Sequence, residues 1–157
     1  MRVRERHLIL EPTTDFTPRT RRVFDYWTKL RDSGKPPKRS DFDPCELKSD
    51  LPNLMLLQVM SEPRDFRYRL IGTAVDHFTG IGRTGKLVSE VVGRGSNLWR
   101  SLCRVVDTGR PSTLSAPYEG PHQDYVATAQ VALPMLGTAG AVDFILIGID
   151  YLRQSQH

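Results

Sequence analysis

Cysteine is scarce in this sequence, and long apolar runs are missing from it. The 157 residues include only Cys45 and Cys103, which are too few and too poorly spaced for a disulfide framework or a zinc site. The late apolar run Phe144–Ile149 is far shorter than the about 18 residues that a membrane helix needs. No long apolar segment follows the basic start, as one would in a secretory signal. These absences predict a cytoplasmic protein without a membrane span.

Positive charge is in excess, but it is not concentrated. The formal net charge is +4, and arginines alternate with acids along the chain, as in Arg31–Asp32 and Arg64–Asp65. The densest basic runs are Arg2–Arg6, within a segment 1–15 that we expect to be flexible, and Arg19–Arg22. Nucleic-acid binding needs a concentrated patch and usually a recognisable module. We find neither, so the sequence disfavours a nucleic-acid partner.

A capped helix is predicted just before the middle of the chain. Asp43 can accept from the free amides of a first turn, and Pro44 suits the first helical position. Glu46 stands three residues after Asp43 and can return a hydrogen bond to its amide, as in a capping box. Pro52 is expected to stop this helix, because it forces the preceding residue toward extended geometry.

A strand, a turn and a second strand follow that helix. The run Leu54–Met60 is short and almost continuously apolar, and a turn signal at Pro63 comes next, which favours a buried strand. Three apolar residues of the following segment alternate with arginines, which predicts a half-buried strand with its arginines in water. The apolar positions are Phe66, Tyr68 and Leu70, and the arginines are Arg67 and Arg69.

The second half of the chain adds one long helix and three strands. Residues Arg94–Thr108 carry a wide apolar stripe suited to packing on a sheet, and Gly109 is a suitable C-terminal cap. Strands are predicted over Ser112–Glu119, Asp124–Pro134 and Val142–Tyr151. The middle strand alternates so mildly that its buried face is undecided. The pattern predicts a single α+β domain, a class that 157 residues can fill with a real core.

The ordered series of motifs resembles a bacterial PAS-like family, known mainly from alphaproteobacteria. The resemblance spans Phe16 to Tyr151 and is carried by Tyr26–Trp27, the segment 37–44, Leu51–Leu54, Tyr68–Thr73 and Thr84–Gly85. It implies a five-stranded antiparallel sheet with short helices on one face and a flanking N-terminal helix. We therefore divide the chain into a helical cap at 16–52 and a PAS-like core at 53–153. The resemblance implies no catalytic residues.

The N-terminal helix carries an apolar stripe at alternating steps of four and three. It begins after Thr17 with Pro18 and ends before Gly34. Such a stripe either packs on its own domain or forms a dimer seam with a second helix. Because PAS-like domains often dimerise through a flanking helix, the resemblance favours the second alternative, in which the protein is a homodimer. The candidate interface is Phe16, Thr20, Val23, Trp27 and Leu30.

A small-molecule pocket between the central helix and the sheet is a second expectation. In a PAS-like fold that helix walls the ligand cavity, while the alternative is a filled core. The candidate ligand contacts are the aromatic, soft or polar side chains that interrupt aliphatic patterns. They are Tyr68, Phe78, Trp99, Cys103, Thr128 and Gln130.

Several sharper motifs fail in their sequence context. The run Gly80–Gly85 matches the dinucleotide fingerprint, but no buried strand precedes it, which predicts a plain loop. His77 beside Asp76 could serve as a base or a ligand, yet no second ligand stands at a suitable spacing. The sequence lacks the Cys-x-x-Cys-His motif of covalent haem attachment and the adduct motif of photosensory flavin PAS domains. It also lacks a histidine on the central helix, from which haem-binding PAS sensors typically ligate the haem. The cofactor therefore stays unknown.

The sequence predicts a stand-alone PAS-like sensory or adaptor domain that is not an enzyme. The chain stops soon after its last strand, so a signal is expected to reach a separate protein partner. A small hydrolase or isomerase built around Asp76 and His77 is the alternative, and a nucleic-acid-binding adaptor ranks third. A catalytic cluster around His77 would favour the enzyme, and one arginine-lined face would favour the nucleic-acid adaptor.

Overall fold

Five strands form one antiparallel sheet in the computed structural model, which describes residues 16–80 and 82–154. The spatial order is β2-β1-β5-β4-β3, and every neighbouring pair is antiparallel. This sheet confirms the predicted α+β class. Its strands are β1 (Leu54–Met60), β2 (Asp65–Ile71), β3 (Ser112–Pro117), β4 (Tyr125–Leu136) and β5 (Val142–Arg153).

Helices cover both faces of the sheet. On one face lies α1 (Pro18–Leu30) with the 3-10 segments Arg39–Asp41 and Pro44–Asn53 close by. On the other lie α2 (Thr73–Thr79), α3 (Val88–Val91) and α4 (Asn97–Thr108). Within the described residues, no helix is long and apolar enough to cross a membrane. The predicted flexible segment 1–15 lies outside the described residues, and the division at residue 52 stays a prediction.

Helix α1 packs directly on the sheet because its stripe is apolar and its start is well capped. Thr17 and Thr20 form a reciprocal capping box, and Pro18 occupies the first turn. Val23 and Trp27 pack against apolar side chains of β1, β4 and β5. A side chain at Gly148 of β5 would meet the methyl groups of Val23 at 3.0–3.2 Å, so glycine permits this close approach.

An ion-pair network fixes α1 from the side. Arg22 donates two hydrogen bonds to the carboxylate of Asp50, at 2.9 and 2.7 Å, and Arg19 donates a third at 3.1 Å. Arg19 also reaches Asp150 on β5 at 2.9 Å. The hydrogen bond from Arg22 holds the pKa of Asp50 below its usual value, although burial opposes the shift. The network joins α1, the second 3-10 segment and β5.

The predicted alternation of β2 fails at Leu70. Phe66 and Tyr68 are fully buried as expected, and Arg69 is exposed, but Leu70 is 57 % exposed. Leu57 pairs with Tyr68 while Leu56 pairs with Leu70, so Arg69 is the extra residue of a β-bulge. A bulge shifts the following residues to the opposite face. Ile71, rather than Leu70, therefore packs beneath the helices α2–α4.

Strand β4 resolves the undecided face by burying both of its sides. Val131 and Leu133 contact the α1 layer, while Thr128 and Ala132 face α2–α4. The pairing of β4 with β5 skips Val126, which is exposed. This irregularity moves Tyr125 to the same face as Thr128, whereas strict alternation grouped it with the residues facing the other way.

Two predicted helix ends also change. Helix α4 begins at Asn97 rather than Arg94, because the Ser96 hydroxyl accepts from the amide of Trp99 and caps it there. The segment after Asp43 consists of two short 3-10 pieces separated by a kink at Leu47, and the second piece passes Pro52 and ends at Asn53. The predicted return bond from Glu46 is replaced, since the Asp43 amide donates to the Tyr26 hydroxyl at 2.9 Å. Asp43 itself caps Cys45 as expected.

Candidate functional site

A cavity of about 640 Å³ lies between the helices α2–α4 and the sheet. This volume falls within the range of about 300–1,000 Å³ that is usual for small-molecule sites. Its wall combines residues of α2, α3, α4 and the strands β1, β3, β4 and β5 with residues of the loops around them. The lining is Met55, Val75, Phe78, Thr79, Arg83, Val91, Val92, Ser96, Asn97, Leu98, Leu114, Ala116, Pro117, Tyr118, Glu119, Gly120, Thr128, Gln130, Ile149 and Tyr151.

The floor of the cavity comes from the regular alternation of β5. Ile145, Ile147, Ile149 and Tyr151 all belong to the core on the α2–α4 side of the sheet. The first two are fully buried, and the last two line the cavity. The apolar series therefore ends in a tyrosine, which brings a hydroxyl group to an otherwise aliphatic floor.

Three buried polar atoms lack hydrogen-bond partners among the described residues: the hydroxyl oxygens of Tyr68 and Tyr151 and the Nε atom of Arg83. The Arg83 guanidinium carbon lies 5.9 Å from the centre of the Tyr68 ring. Burial raises the pKa of both tyrosines, and the positive charge of Arg83 partly opposes this shift. Both hydroxyls therefore stay protonated at neutral pH and can donate.

The strands β3 and β4 supply a second polar wall. The Thr128 hydroxyl donates to the carbonyl of Ala116 at 3.3 Å, and the Gln130 side-chain amide donates to Thr128 at 3.5 Å. Both residues line the cavity. Unlike the atoms around Arg83, these groups are engaged with each other and with the strand backbone.

Aromatic residues close one end of the cavity. The Phe78 ring stacks on Tyr151 with centroids 4.1 Å apart. The Tyr118 hydroxyl donates to the carbonyl of Phe78 at 2.6 Å and accepts from the amide of His122 at 3.2 Å. The segment between β3 and β4 is thereby attached to the end of α2, next to exposed Glu119.

Helix α3, whose last residue Val91 lines the cavity together with the following Val92, is anchored by a buried carboxylate. Asp65 at the start of β2 accepts from the amide and hydroxyl of Ser89 and from Arg94. Burial disfavours its charge, but the bonds from Ser89 and the Phe66 amide outweigh burial and lower the pKa of Asp65. A four-residue helix is thus held in place by an ionised group rather than by its own length.

Three of the six predicted ligand contacts line the cavity: Phe78, Thr128 and Gln130. Tyr68 is fully buried and is not part of the lining. Its ring lies beside Arg83, which lines the cavity. Trp99 and Cys103 lie elsewhere on α4. Trp99 meets Phe66 edge to face at 5.2 Å, and Cys103 packs half-buried against the core. Binding by any of the six stays a prediction.

Arg83 and Tyr151 were missed by the sequence reasoning. Arg83 stood within the glycine run that was considered only as a dinucleotide fingerprint. Tyr151 was signalled by the alternation of Ile147 and Ile149, which it continues. Gly80, the first glycine of the run, ends α2 in the left-handed conformation with φ +79°. The antiparallel sheet and the preceding helix agree with the interpretation of this run as a loop.

The candidate dimer stripe is used within the chain. Thr20, Val23 and Trp27 are buried in the domain's own core, and Phe16 and Leu30 are half-buried beside it. The Trp27 indole donates to the carbonyl of Pro134 at 2.8 Å. The stripe therefore matches the alternative of a helix packed on its own domain, and its centre presents no surface to a second copy.

Asp76 and His77 are both exposed on α2. The His77 ring stacks on His122 with centroids 4.3 Å apart. Within residues 16–80 and 82–154, no group of three or more histidine, cysteine or carboxylate side chains could hold a metal ion. The pair therefore has an aromatic neighbour but no converging acid–base cluster among the described residues.

Comparison with known proteins gives one family match. The sequence profile of a family described as PAS domain matches residues 16–145. A search of curated proteins finds no match. Among solved structures, one similar chain is described as an RNA-binding light-oxygen-voltage receptor, with 18 % identity and a TM-score of 0.46. That match covers 79 % of this chain and only 37 % of the receptor chain.

Proposed function

Because the chain belongs to the PAS domain family, we propose that it is a sensory domain that binds a small organic molecule in its cavity and signals to a separate protein. One observation carries this proposal. A cavity of about 640 Å³ lies under α2–α4, and three buried polar atoms at or beside it lack partners among the described residues. Such groups are costly in a filled core and useful in a binding site.

Signal transfer requires two arrangements of the cavity wall with different affinities for the ligand. The segment Gly72–Gly93, which carries α2 and α3, is the part of the wall best suited to such a change. Its helices are short, and contacts from Tyr118 and Asp65 attach them to the sheet. A ligand that favours one arrangement would alter the surface offered to the partner protein.

Native mass spectrometry of protein purified from its own host tests the binding function. We expect a retained small molecule in the wild type and its loss in Ala116→Leu, which fills the cavity from β3. Ser115→Leu is the matched control, because Ser115 is the exposed neighbour on the same strand and points to the opposite face. If each of the three proteins shows only its own unliganded mass, the proposed binding is contradicted.

A homodimer, a cytoplasmic location and a separate partner are further parts of the proposal. Both cysteines are free, which suits a reducing compartment. A dimer would have to use a surface other than Thr20, Val23 and Trp27, since their burial serves the monomer core. Sedimentation velocity at several concentrations tests the dimer, and a monomer at every concentration would remove it from the proposal.

A further inference from the structure

We propose that the cavity takes a small organic carboxylate, with Arg83 and Tyr151 binding its carboxylate group and the aliphatic wall enclosing its apolar body. This inference rests on the proposed function, because it names the chemical class of the ligand for the same cavity. Among the described residues that line the cavity, Arg83 is the one cationic side chain.

Arg83 is placed where an anionic ligand group would stabilise it. Its side chain is half-buried, its Nε atom has no hydrogen-bond partner, and it is in no ion pair of the described residues. Glu119 is the sole carboxylate of the lining, and it is exposed at the rim. Removing a guanidinium from water without a partner is unfavourable. Its planar fork of donors matches a carboxylate in particular.

The tyrosine hydroxyls add donors at the same place. Tyr151 lines the cavity at 9 % exposure, and Tyr68 is fully buried with its ring beside Arg83. Among the described residues, neither hydroxyl has a hydrogen-bond partner, although the charge of Arg83 acts on both of them. A carboxylate offers about four lone-pair positions and no hydrogen to donate, so it can satisfy a guanidinium and a phenol together. An amide or an alcohol would leave part of this donor set unused.

The remaining wall indicates that the anion has an apolar body. Val75, Leu98, Leu114 and Ile149 line the cavity together with the ring of Phe78. Burying apolar ligand surface against these side chains is favourable in proportion to area. A free inorganic anion would use only the end near Arg83 and would leave the aliphatic wall without contacts.

Two probes of the same skeleton separate charge from shape: 3-phenylpropanoate and its neutral amide, 3-phenylpropanamide. We expect the wild type to bind the carboxylate about tenfold or more tightly than the amide in isothermal titration calorimetry. Arg83→Gln should remove this preference, and Tyr151→Phe should weaken carboxylate binding several-fold. Arg69→Gln is the matched control, because Arg69 is exposed on β2 outside the cavity and should leave both affinities unchanged.

The outcomes distinguish the carboxylate inference from the broader sensory proposal. Equal binding of both probes by the wild type, or an unchanged preference in Arg83→Gln, would overturn the inference and leave a cavity that binds small molecules. A neutral molecule retained in native mass spectra would do the same. Binding of neither probe would also overturn it. Should Arg83→Gln fail to fold, Arg83→Met removes the charge from a side chain of similar length and should likewise lose the preference.

Discussion

Both faces of the sheet are covered by helices, but the two faces are packed differently. On the α1 face, Trp27, Asp50 and Asn53 are buried and hydrogen-bonded, and Val23 packs at Gly148. On the α2–α4 face, a large cavity remains, and the partnerless polar atoms of the described residues are at or beside it. The α1 face is therefore filled by side chains, whereas the α2–α4 face combines a buried core with the space that the proposed binding function requires.

The difference follows from the helices that cover each face. Helix α1 is a single amphipathic element of 13 residues, so one continuous stripe fills the groove of the sheet. The other face is covered by helices of 7, 4 and 12 residues joined by loops with Gly80, Gly85 and Gly93 in left-handed conformations. Short elements joined by loops leave space that one long helix would fill.

Replacing the two tryptophans, one on each face, gives the largest expected contrast. Trp27→Ala should lower the free energy of unfolding by about 3–5 kcal/mol, because the ring is 2 % exposed and its indole N–H is bonded to Pro134. Trp99→Ala should cost about half as much, since Trp99 is half-buried, meets Phe66 edge to face and has the Arg94 guanidinium over its ring. Urea unfolding measures both.

Equal losses in the free energy of unfolding for the two variants would contradict the difference between the faces, because the α1 face would then contribute no more stability than the other. Sedimentation of folded Trp27→Ala adds a control. If the variant remains folded at nearly full stability and changes only its oligomeric state, Trp27 acts in a dimer seam after all.

Acid should weaken the α1 face through Asp50. Its pKa is lowered in the folded state, so its contribution is complete above the ordinary carboxyl pKa of about 3.9 and is lost as pH falls further. Asp50→Asn should cost about 2 kcal/mol at pH 7 and reduce the loss of stability below about pH 4. The loss of stability that remains in this variant should come from protonation of Asp65, whose pKa is also lowered.

Asp25→Asn is the control for the pH experiment, since Asp25 is 59 % exposed and pairs with Arg21 at 3.4 Å. Exposed pairs on a helix contribute little, so this variant should follow the wild-type curve. Chemical unfolding from pH 7 to pH 3 gives the curves. The same acid dependence in Asp50→Asn and the wild type would mean that the Arg19–Arg22–Asp50 network does not stabilise α1.

Two tyrosines provide the smallest and most specific contrast. Tyr26→Phe should cost about 1 kcal/mol, because its hydroxyl bonds both the amide and the carbonyl of Asp43. Tyr68→Phe should be neutral or slightly stabilising, since its buried hydroxyl has no hydrogen-bond partner among the described residues. Thermal unfolding without added ligand measures this pair. A clear loss in Tyr68→Phe would show that its hydroxyl is satisfied in the folded protein, which would weaken the assignment of donors to the cavity.

Much of the architecture could be predicted because its signals are local. The apolar run Leu54–Met60, the cap at Gly109 and the apolar stripe of α1 each depend on residues close together in the chain. The errors occurred where strand pairing intervened. The bulge at Arg69 exposes Leu70, and the irregularity at Val126 turns Tyr125 toward the α2–α4 face. A bulge is defined by the partner strand, so one strand's sequence gives little indication of it.

Local patterns predict the five strands, the two long helices and the apolar stripe of α1, because hydrophobic period and capping residues act over one or two turns. That this stripe lies on the sheet depends on contacts between segments far apart in the chain. The tertiary structure also decided which side chains meet beside the cavity. Tyr68 comes from β2, Arg83 from a loop and Tyr151 from β5. Their proximity depends on the order β2-β1-β5 and on the path of the chain over it, which no local pattern encodes.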